Sequence, residues 1–340
     1  MQTQQNFIVT SSPHIHSGYT ISSAMRDVLL SLVPAAVAAF YFFGINALLV
    51  MAASVIAAVM AEYICQKIMQ RDITVGDGSA ALTGLLLAMC LPPALPLWMA
   101  ALGSVFAIVI GKQVFGGLGC NVFNPAHIGR AMLLASFPAQ MTTWSVPQSA
   151  ADAVTQATSA DAVTWPTPLA YLKNMAQSVA PENVMPAALD HVSLFDMFIG
   201  NISGSLGETS IPALLIGGIF LVARKHIDWR IPVVYIGSVY VIMSVYAAVQ
   251  GYDMNFALYH VLGGGLIIGA FFMATDWVTS PITPKGRIVF AIGLGMLTSL
   301  IRLKSGYAEG VCYSILLMNM LAPLIDRYTR SRVFGRGKNE

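Results

Sequence analysis

Residues 82–96 read LTGLLLAMCLPPALP. The run is apolar enough for a bilayer, but Pro92, Pro93 and Pro96 close it before it reaches the roughly 20 residues a spanning helix needs. A second interruption, FNPAHIG (123–129), opens another short apolar stretch. Non-helical backbone survives at membrane depth only where protein or a cavity covers it. Such breaks therefore predict a buried site rather than a lipid-facing surface.

Working outward from residue 82, ten apolar stretches are candidate spans. They lie near 25–44, 46–68, 79–92, 95–115, 122–138, 210–226, 229–249, 257–275, 287–304 and 309–326. Composition agrees: 56% of the 340 residues are hydrophobic and 10% charged, against about 25% charged in soluble domains, and mean hydropathy is +0.69. A net charge of +2 gives no nucleic-acid footprint. The polar N-terminal stretch lacks the short apolar core and cleavage site of a signal peptide.

Lysine and arginine placement sets the orientation. Lys67 and Arg71, then Arg224, Lys225 and Arg230, then Lys285 and Arg287, and finally Arg327, Arg330, Arg332, Arg336 and Lys338 all fall on one side if both termini are cytoplasmic. The segment 139–209 then lies outside, with Lys173 its one base against six acids. Arg302 and Lys304 dissent, since they would face outward. The expected organisation is a cytoplasmic segment (1–24), five helices (25–138), an outer segment (139–209), five more helices (210–326) and a basic cytoplasmic tail (327–340). Five is odd, so the second half enters from the opposite side, an inverted repeat of the kind that holds a midplane site of broken helices. Faint similarity between LTGLLLAMCLPP (82–93) and LIIGAFFMATDWVTSP (266–281) fits this, although two apolar stretches also look alike by chance.

Each polar motif has two readings. GGLGCNVFNPAHIGR (116–130) either presents backbone N–H groups to an anionic or polar ligand or simply lets helices pack closely, with Arg130 a partner for a carbonyl or phosphate. GDGSAALTG (76–84) offers Asp77 or Ser79 as a helix cap. GNISGSLGETS (200–210) offers Thr209 or Ser210 as a cap, or its glycines and Glu208 as a cofactor wrap at the outer surface. Glu62, Asp276, Glu309 and His260 are intramembrane ionisable candidates; all lie near span ends, where snorkelling or capping explains them equally. Cys65, Cys90, Cys120 and Cys312 lack ligand spacing, and three of them lie in or beside apolar segments, which reads as buried thiols rather than cluster ligands. His14 and His16 form a lone H-x-H, a weak metal signal.

The outer segment spells Asp-x-x-Thr-x-x-Thr twice, as DAVTQATSA (152–160) and DAVTWPTPLA (161–170). A threonine becomes a nucleophile toward phosphorus only with an external activator, and a mobile outer loop is where a modifying enzyme reaches it. Drift in a Ser/Thr/Ala-rich loop produces the same repetition.

Six blocks, in order along essentially the whole chain, resemble one family: SSPHIHSGYTISSAMRDVLL, GDGSAALTGLLLAMCLPP, GGLGCNVFNPAHIGRAML, GSLGETS, ATDWVTSPITPKGR and SGYAEGVCYSILLMN. The family is that of the D subunits of Rnf-type (Rsx) electron-transport complexes. The B subunit of the sodium-translocating NADH:quinone oxidoreductase is a more distant likeness. The resemblance implies an all-α polytopic protein of about ten helices in two inverted five-helix repeats, similar to urea transporters. It implies an inner-membrane complex that couples electron flow between reduced ferredoxin and NAD to cation movement, with this chain as a relay that is not active alone. It further implies the A, B, C, E and G subunits of the complex as partners, a flavin transferase, an FMN joined through its phosphate to a threonine, and a second, non-covalent flavin (riboflavin or FMN) in the core. The family's attachment motif runs close to Asp-x-x-(Ser/Thr)-Gly-Ala-Thr, often followed by Pro-Leu. Asp161, Thr164 and Thr167 match it with Trp165-Pro166 in place of Gly-Ala and with Pro168-Leu169 trailing, which favours Thr167; Thr158 ends the other copy. The rival readings are a solute channel of the same fold, which needs no flavin, and a scaffold for partner proteins.

Overall fold

The computed structural model of the chain describes residues 20–147 and 165–330, and every regular element among them is helical. The first group comprises α1 (Ile21–Phe43), α2 (Ile45–Ile68), α3 (Ser79–Met89), α4 (Leu97–Ile108) and α5 (Pro125–Ser136). The outer segment contributes α6 (Pro168–Ser178), α7 (Pro181–His191) and α8 (Leu194–Ile199). The last group is α9 (Ile211–Ala223), α10 (Arg230–Gln250), α11 (Asn255–Leu262), α12 (Leu266–Ile268), α13 (Pro284–Lys304) and α14 (Val311–Tyr328). Each of the ten apolar stretches is thus helical. α1, α2, α10 and α13 are individually long and apolar enough to cross a membrane. About a third of the apolar window of α1, α2 and α10 is buried within the chain (33%). The protein is a multi-pass membrane protein.

Local chemistry sets the ends. Thr20 and Ser23 form a reciprocal capping box at the start of α1. Between α1 and α2 only Gly44 intervenes, at φ 66°, which glycine adopts without steric cost. Asn124, Thr167, Ser193, Ser210 and Thr283 cap α5, α6, α8, α9 and α13 through their side chains, four of them with proline at the first helical turn. Ser210, not Thr209, is therefore the cap of α9. The cap position of α3 is Gly78, at φ 81°, rather than Asp77 or Ser79; Asp77, just before it, accepts from the Ser79 N–H at 2.7 Å.

Small residues draw the helices together. A Cβ on Gly84 of α3 would lie 2.7 Å from the Ser54 carbonyl of α2, and one on Gly129 of α5 would lie 2.6 Å from the Gly103 carbonyl of α4. For Gly129 the close-packing reading of its motif holds.

Two stretches carry a π-helical turn, Val109–Gln113 where α4 runs on and Gly269–Met273, and the second of them is also broken. The eighth apolar stretch is broken: α11 and the segment Leu266–Met273 meet at 64° across Gly263–Gly265. Arg302 bridges the break, its guanidinium donating to the carbonyls of His260 and Gly263. The Arg302 side chain is 2% exposed, so the break determines its place rather than outer water.

The outer segment is no loose loop over its described part. Leu169, Leu172, Val184, Met185, Ala188 and Met197 are all buried in the main core. Their apolar side chains recur at three- and four-residue spacing and pull α6 to α8 onto the helices beneath.

Candidate functional site

Thr167 lies 4% exposed, where an accessible outer loop is the sequence expectation. Its hydroxyl accepts from the Ala170 N–H at 3.3 Å, and Pro168-Leu169 opens α6 as the trailing motif suggests. The Pro166 carbonyl accepts from Ser203 at 2.9 Å, which ties this site to the Gly-rich stretch 200–210. Beside it, Trp165 (37% exposed) and Tyr171 both stack on His191, with ring centroids 5.0 and 4.0 Å away. Partial burial holds the His191 imidazole below its ordinary pKa. Lys173, one turn further along α6, donates to the carbonyls of Ser305 and Tyr307. Burial holds its ammonium below the usual lysine range. Asp161, Thr164 and Thr158 lie outside the described residues.

Below this, the fold brings Arg130 and Glu208 together through Glu309. Arg130 of α5 is ion-paired with Glu309, and the Glu208 carboxyl lies against that of Glu309 while accepting from Ser205 at 2.9 Å. Glu208 is 4% and Arg130 7% exposed, so neither is open to an outside ligand, and the guanidinium already holds a carboxylate. His127, one turn before Arg130, is fully buried with neither ring nitrogen bonded among the described residues. Cys90 makes a 3.8 Å sulfur contact with Met273, and the Cys312 thiol points to the His127 carbonyl at 3.6 Å. Both thiols are buried and free.

Toward the other side lies a cavity of ≈ 840 Å³ between the two groups of helices. Asp77, Gln113, Asn121 and Asn124 supply polar wall, while Phe272 and Trp277 supply aromatic wall. Asp276, also on the wall, accepts from the Thr279 hydroxyl at 3.0 Å; no helix starts there, so it is not a cap. Glu62 differs from its span-end expectation: it is 0% exposed and paired with Lys112 at 2.6 Å. Lys112 and Arg302, absent from the candidate residues of the sequence, are after Glu62 the most deeply buried charged residues among the described ones, Arg302 lying at the broken helix and not near Glu62. Each was legible only as a lone base inside or ending an apolar stretch.

Comparison with known proteins decides the family. The family model described as NQR2, RnfD, RnfE family matches residues 8–335. The chain belongs to this family. The D subunit of the proton-translocating ferredoxin:NAD(+) oxidoreductase complex of Clostridium ljungdahlii is 50% identical over 329 residues, 97% of this chain and 96% of that one. The D subunit of the Na(+)-translocating ferredoxin:NAD(+) oxidoreductase complex of Acetobacterium woodii is 45% identical over 97% of this chain and 96% of its own. The D subunit of an ion-translocating oxidoreductase complex of Stutzerimonas stutzeri is 38% identical over 93% of each chain. For a family member, the buried charges and the cavity described above are the features to explain.

Proposed function

We propose that the chain carries an FMN esterified through its phosphate to Thr167 and relays electrons inside an ion-translocating complex. It is a membrane subunit of a ferredoxin:NAD(+) oxidoreductase of this kind; the complex is the enzyme, and the chain alone does not turn over. One observation carries the attachment reading: Thr167 stands at the first turn of an 11-residue helix, its oxygen already aimed at a free backbone N–H. The residues fit a phosphate ester, because a helix N-terminus favours an anion. Reaching the hydroxyl from its buried cap position requires the 165–167 corner to turn outward. The Trp165, Tyr171 and His191 rings beside it match a planar, amphipathic ring system. Bound there, the flavin supplies one- and two-electron chemistry, while the protein fixes its place and potential.

The same reading gives the cavity a second, non-covalent flavin, riboflavin or FMN. Its aromatic wall of Phe271, Phe272 and Trp277 and its amides on Asn121 and Asn124 suit an isoalloxazine ring. The architecture is two inverted five-helix repeats joined by the flavin-carrying outer segment. Helix pairing supports it: α2 packs on α3 and α4, and α4 on α5, as α10 packs on α11 and α13, and α13 on α14. Across the halves α1 meets α9 and α5 meets α14, each helix touching its own counterpart. The remaining partners are the A, B, C, E and G subunits and a flavin transferase, with the chain in the inner membrane and both termini cytoplasmic.

Denaturing electrophoresis followed by a flavin fluorescence scan tests the attachment. The wild-type band fluoresces and Thr167→Val, which removes the hydroxyl, does not; Thr158→Val stays fluorescent. Fluorescence lost from Thr158→Val and kept in Thr167→Val would move the site to the other copy of the motif. A wild-type band without flavin would favour the channel reading instead. Orientation is read by a periplasm-specific reporter, active after Ala160 and silent after Lys338.

A further inference from the structure

A hydrogen-bonded chain connects the cavity wall to a carboxyl sealed inside the first group of helices. Asp77, Ser79 and Lys112 all line the cavity, and Glu62 lies behind them. Asp77 Oδ1 accepts from Ser79 Oγ at 2.5 Å. Lys112 Nζ donates to Ser79 Oγ at 2.6 Å and to Glu62 Oε1 at 2.6 Å. Glu62 Oε1 also accepts from Gln113 Nε2 at 2.9 Å and Gln66 Nε2 at 3.2 Å. The other carboxylate oxygen, Oε2, is buried without a partner among the described residues.

This arrangement depends on the π-helical turn at the end of α4. Val114 N–H reaches back to the Val109 carbonyl, and the widened turn lets Lys112 and Gln113, neighbours in sequence, both approach Glu62. Such turns are frequent at functional sites.

With every group ionised, Asp77 and Glu62 carry two negative charges against one positive charge on Lys112. The surroundings add Arg71, whose guanidinium bonds the Gln113 carbonyl at 3.4 Å, and Cys65 on α2; Asp72 and Asp276 face the cavity. A buried carboxylate oxygen with no donor is costly, and one proton relieves it. A metal cation does not suit the same place, because three N–H donors surround Glu62 Oε1 and a sodium ion needs oxygen ligands.

We propose that Asp77, Ser79, Lys112 and Glu62 form a proton relay that loads Glu62 from the cavity. Asp77 first takes a proton from cavity water. The Lys112 ammonium passes one proton to Glu62, an O–H bond forming as an N–H bond breaks. The Ser79 hydroxyl turns and gives its proton to the neutral amine, and Asp77 returns its proton to the Ser79 oxygen. One proton has then moved from the cavity to Glu62, and the intervening groups are restored. Nothing is oxidised or reduced. The reverse sequence unloads the site. The place of this relay in turnover rests on the reading of the chain as a subunit of an ion-translocating complex; the relay itself does not.

Two measurements separate those claims. Infrared difference spectra of the purified full chain, taken between neutral and acid pH, should contain a slowly deuterium-exchanging carboxyl band that Glu62→Gln removes and Glu309→Gln leaves. Exchange into that band should slow at least about tenfold in Ser79→Ala and recover in Ser79→Thr, which restores a hydroxyl. A band that survives Glu62→Gln, or exchange indifferent to Ser79→Ala, overturns the relay. In the whole complex in liposomes, protons moved per electron should fall in Glu62→Gln and Ser79→Ala and recover in Ser79→Thr. An unchanged ratio in all three also overturns it. If the wild-type complex moves no protons, the ion assignment fails by itself, and the infrared result on the full chain decides the relay.

Discussion

Arg130 of α5 and Glu309, just before α14, form a buried ion pair across 179 residues of sequence. The pair pins one group of helices to the other where α5 meets α14. Arg130 Nε and Glu309 Oε1 are already unpartnered among the described residues, so the site has little slack. Breaking a buried pair by removing one charge costs about 3–5 kcal/mol, mostly from the charge left behind. Glu309→Gln and Arg130→Met should each lower the thermal midpoint of the detergent-solubilised chain. The double variant should lose less than the two losses added, and strict additivity would show the pair to be uncoupled.

Gly84 tests the close approach of α2 and α3. Its would-be Cβ meets backbone atoms of Ser54 and Val55 at 2.7 and 2.8 Å, which cannot rotate aside. Gly84→Ala should destabilise by about 1–3 kcal/mol through forced separation of the helices. Gly237 of α10 has nothing within 4 Å of the same position, so Gly237→Ala should leave the midpoint unchanged or slightly raised.

At Thr167 the cap and the attachment point are one oxygen, and two readouts separate them. Thr167→Val loses both and should destabilise the chain by about 1 kcal/mol as the α6 cap disappears. Thr167→Ser keeps both, so stability and covalent flavin fluorescence should survive. Asp161→Ala leaves Thr167 intact and should weaken labelling without abolishing it. Equal labelling in Asp161→Ala and wild type would show that the transferase does not use that acid.

Asp228, between α9 and α10, gives a pH dependence. Burial by itself would raise its carboxyl pKa, but the Arg230 N–H and the guanidiniums of Arg287 and Arg230 outweigh it and hold the group below the usual carboxylate range. A depressed folded-state pKa stabilises the protein above the unfolded value of about 3.9, and that contribution disappears as pH falls through the folded value. Wild type should therefore unfold at a higher temperature than Asp228→Asn at neutral pH. The gap should close only below about pH 4. A gap that is constant down to acid pH would assign the effect to lost hydrogen bonds rather than to charge.

The sequence by itself determined the helices, the interruptions and the family. Apolar length marks where a chain becomes helical in lipid, prolines and glycines mark where it stops, and both signals are local. That is why each of the ten apolar stretches of residues 25–326 is helical, and why Thr167 at the head of Pro168-Leu169 caps α6. Only the tertiary structure decided which charges meet. Lys112 lies 50 residues from Glu62, and Arg302 lies 39 from the Gly263 carbonyl it serves, so no spacing rule connects them. It also made packed helices of the outer segment's residues 168–199, where an accessible loop was expected, and buried the threonine before them. Burial and pairing depend on which surfaces come to lie against each other, and in a membrane protein an unpaired charge or carbonyl has no water to fall back on. The fold therefore brings distant residues together to satisfy one another, and that demand appears in the three-dimensional arrangement and not in the order of the residues.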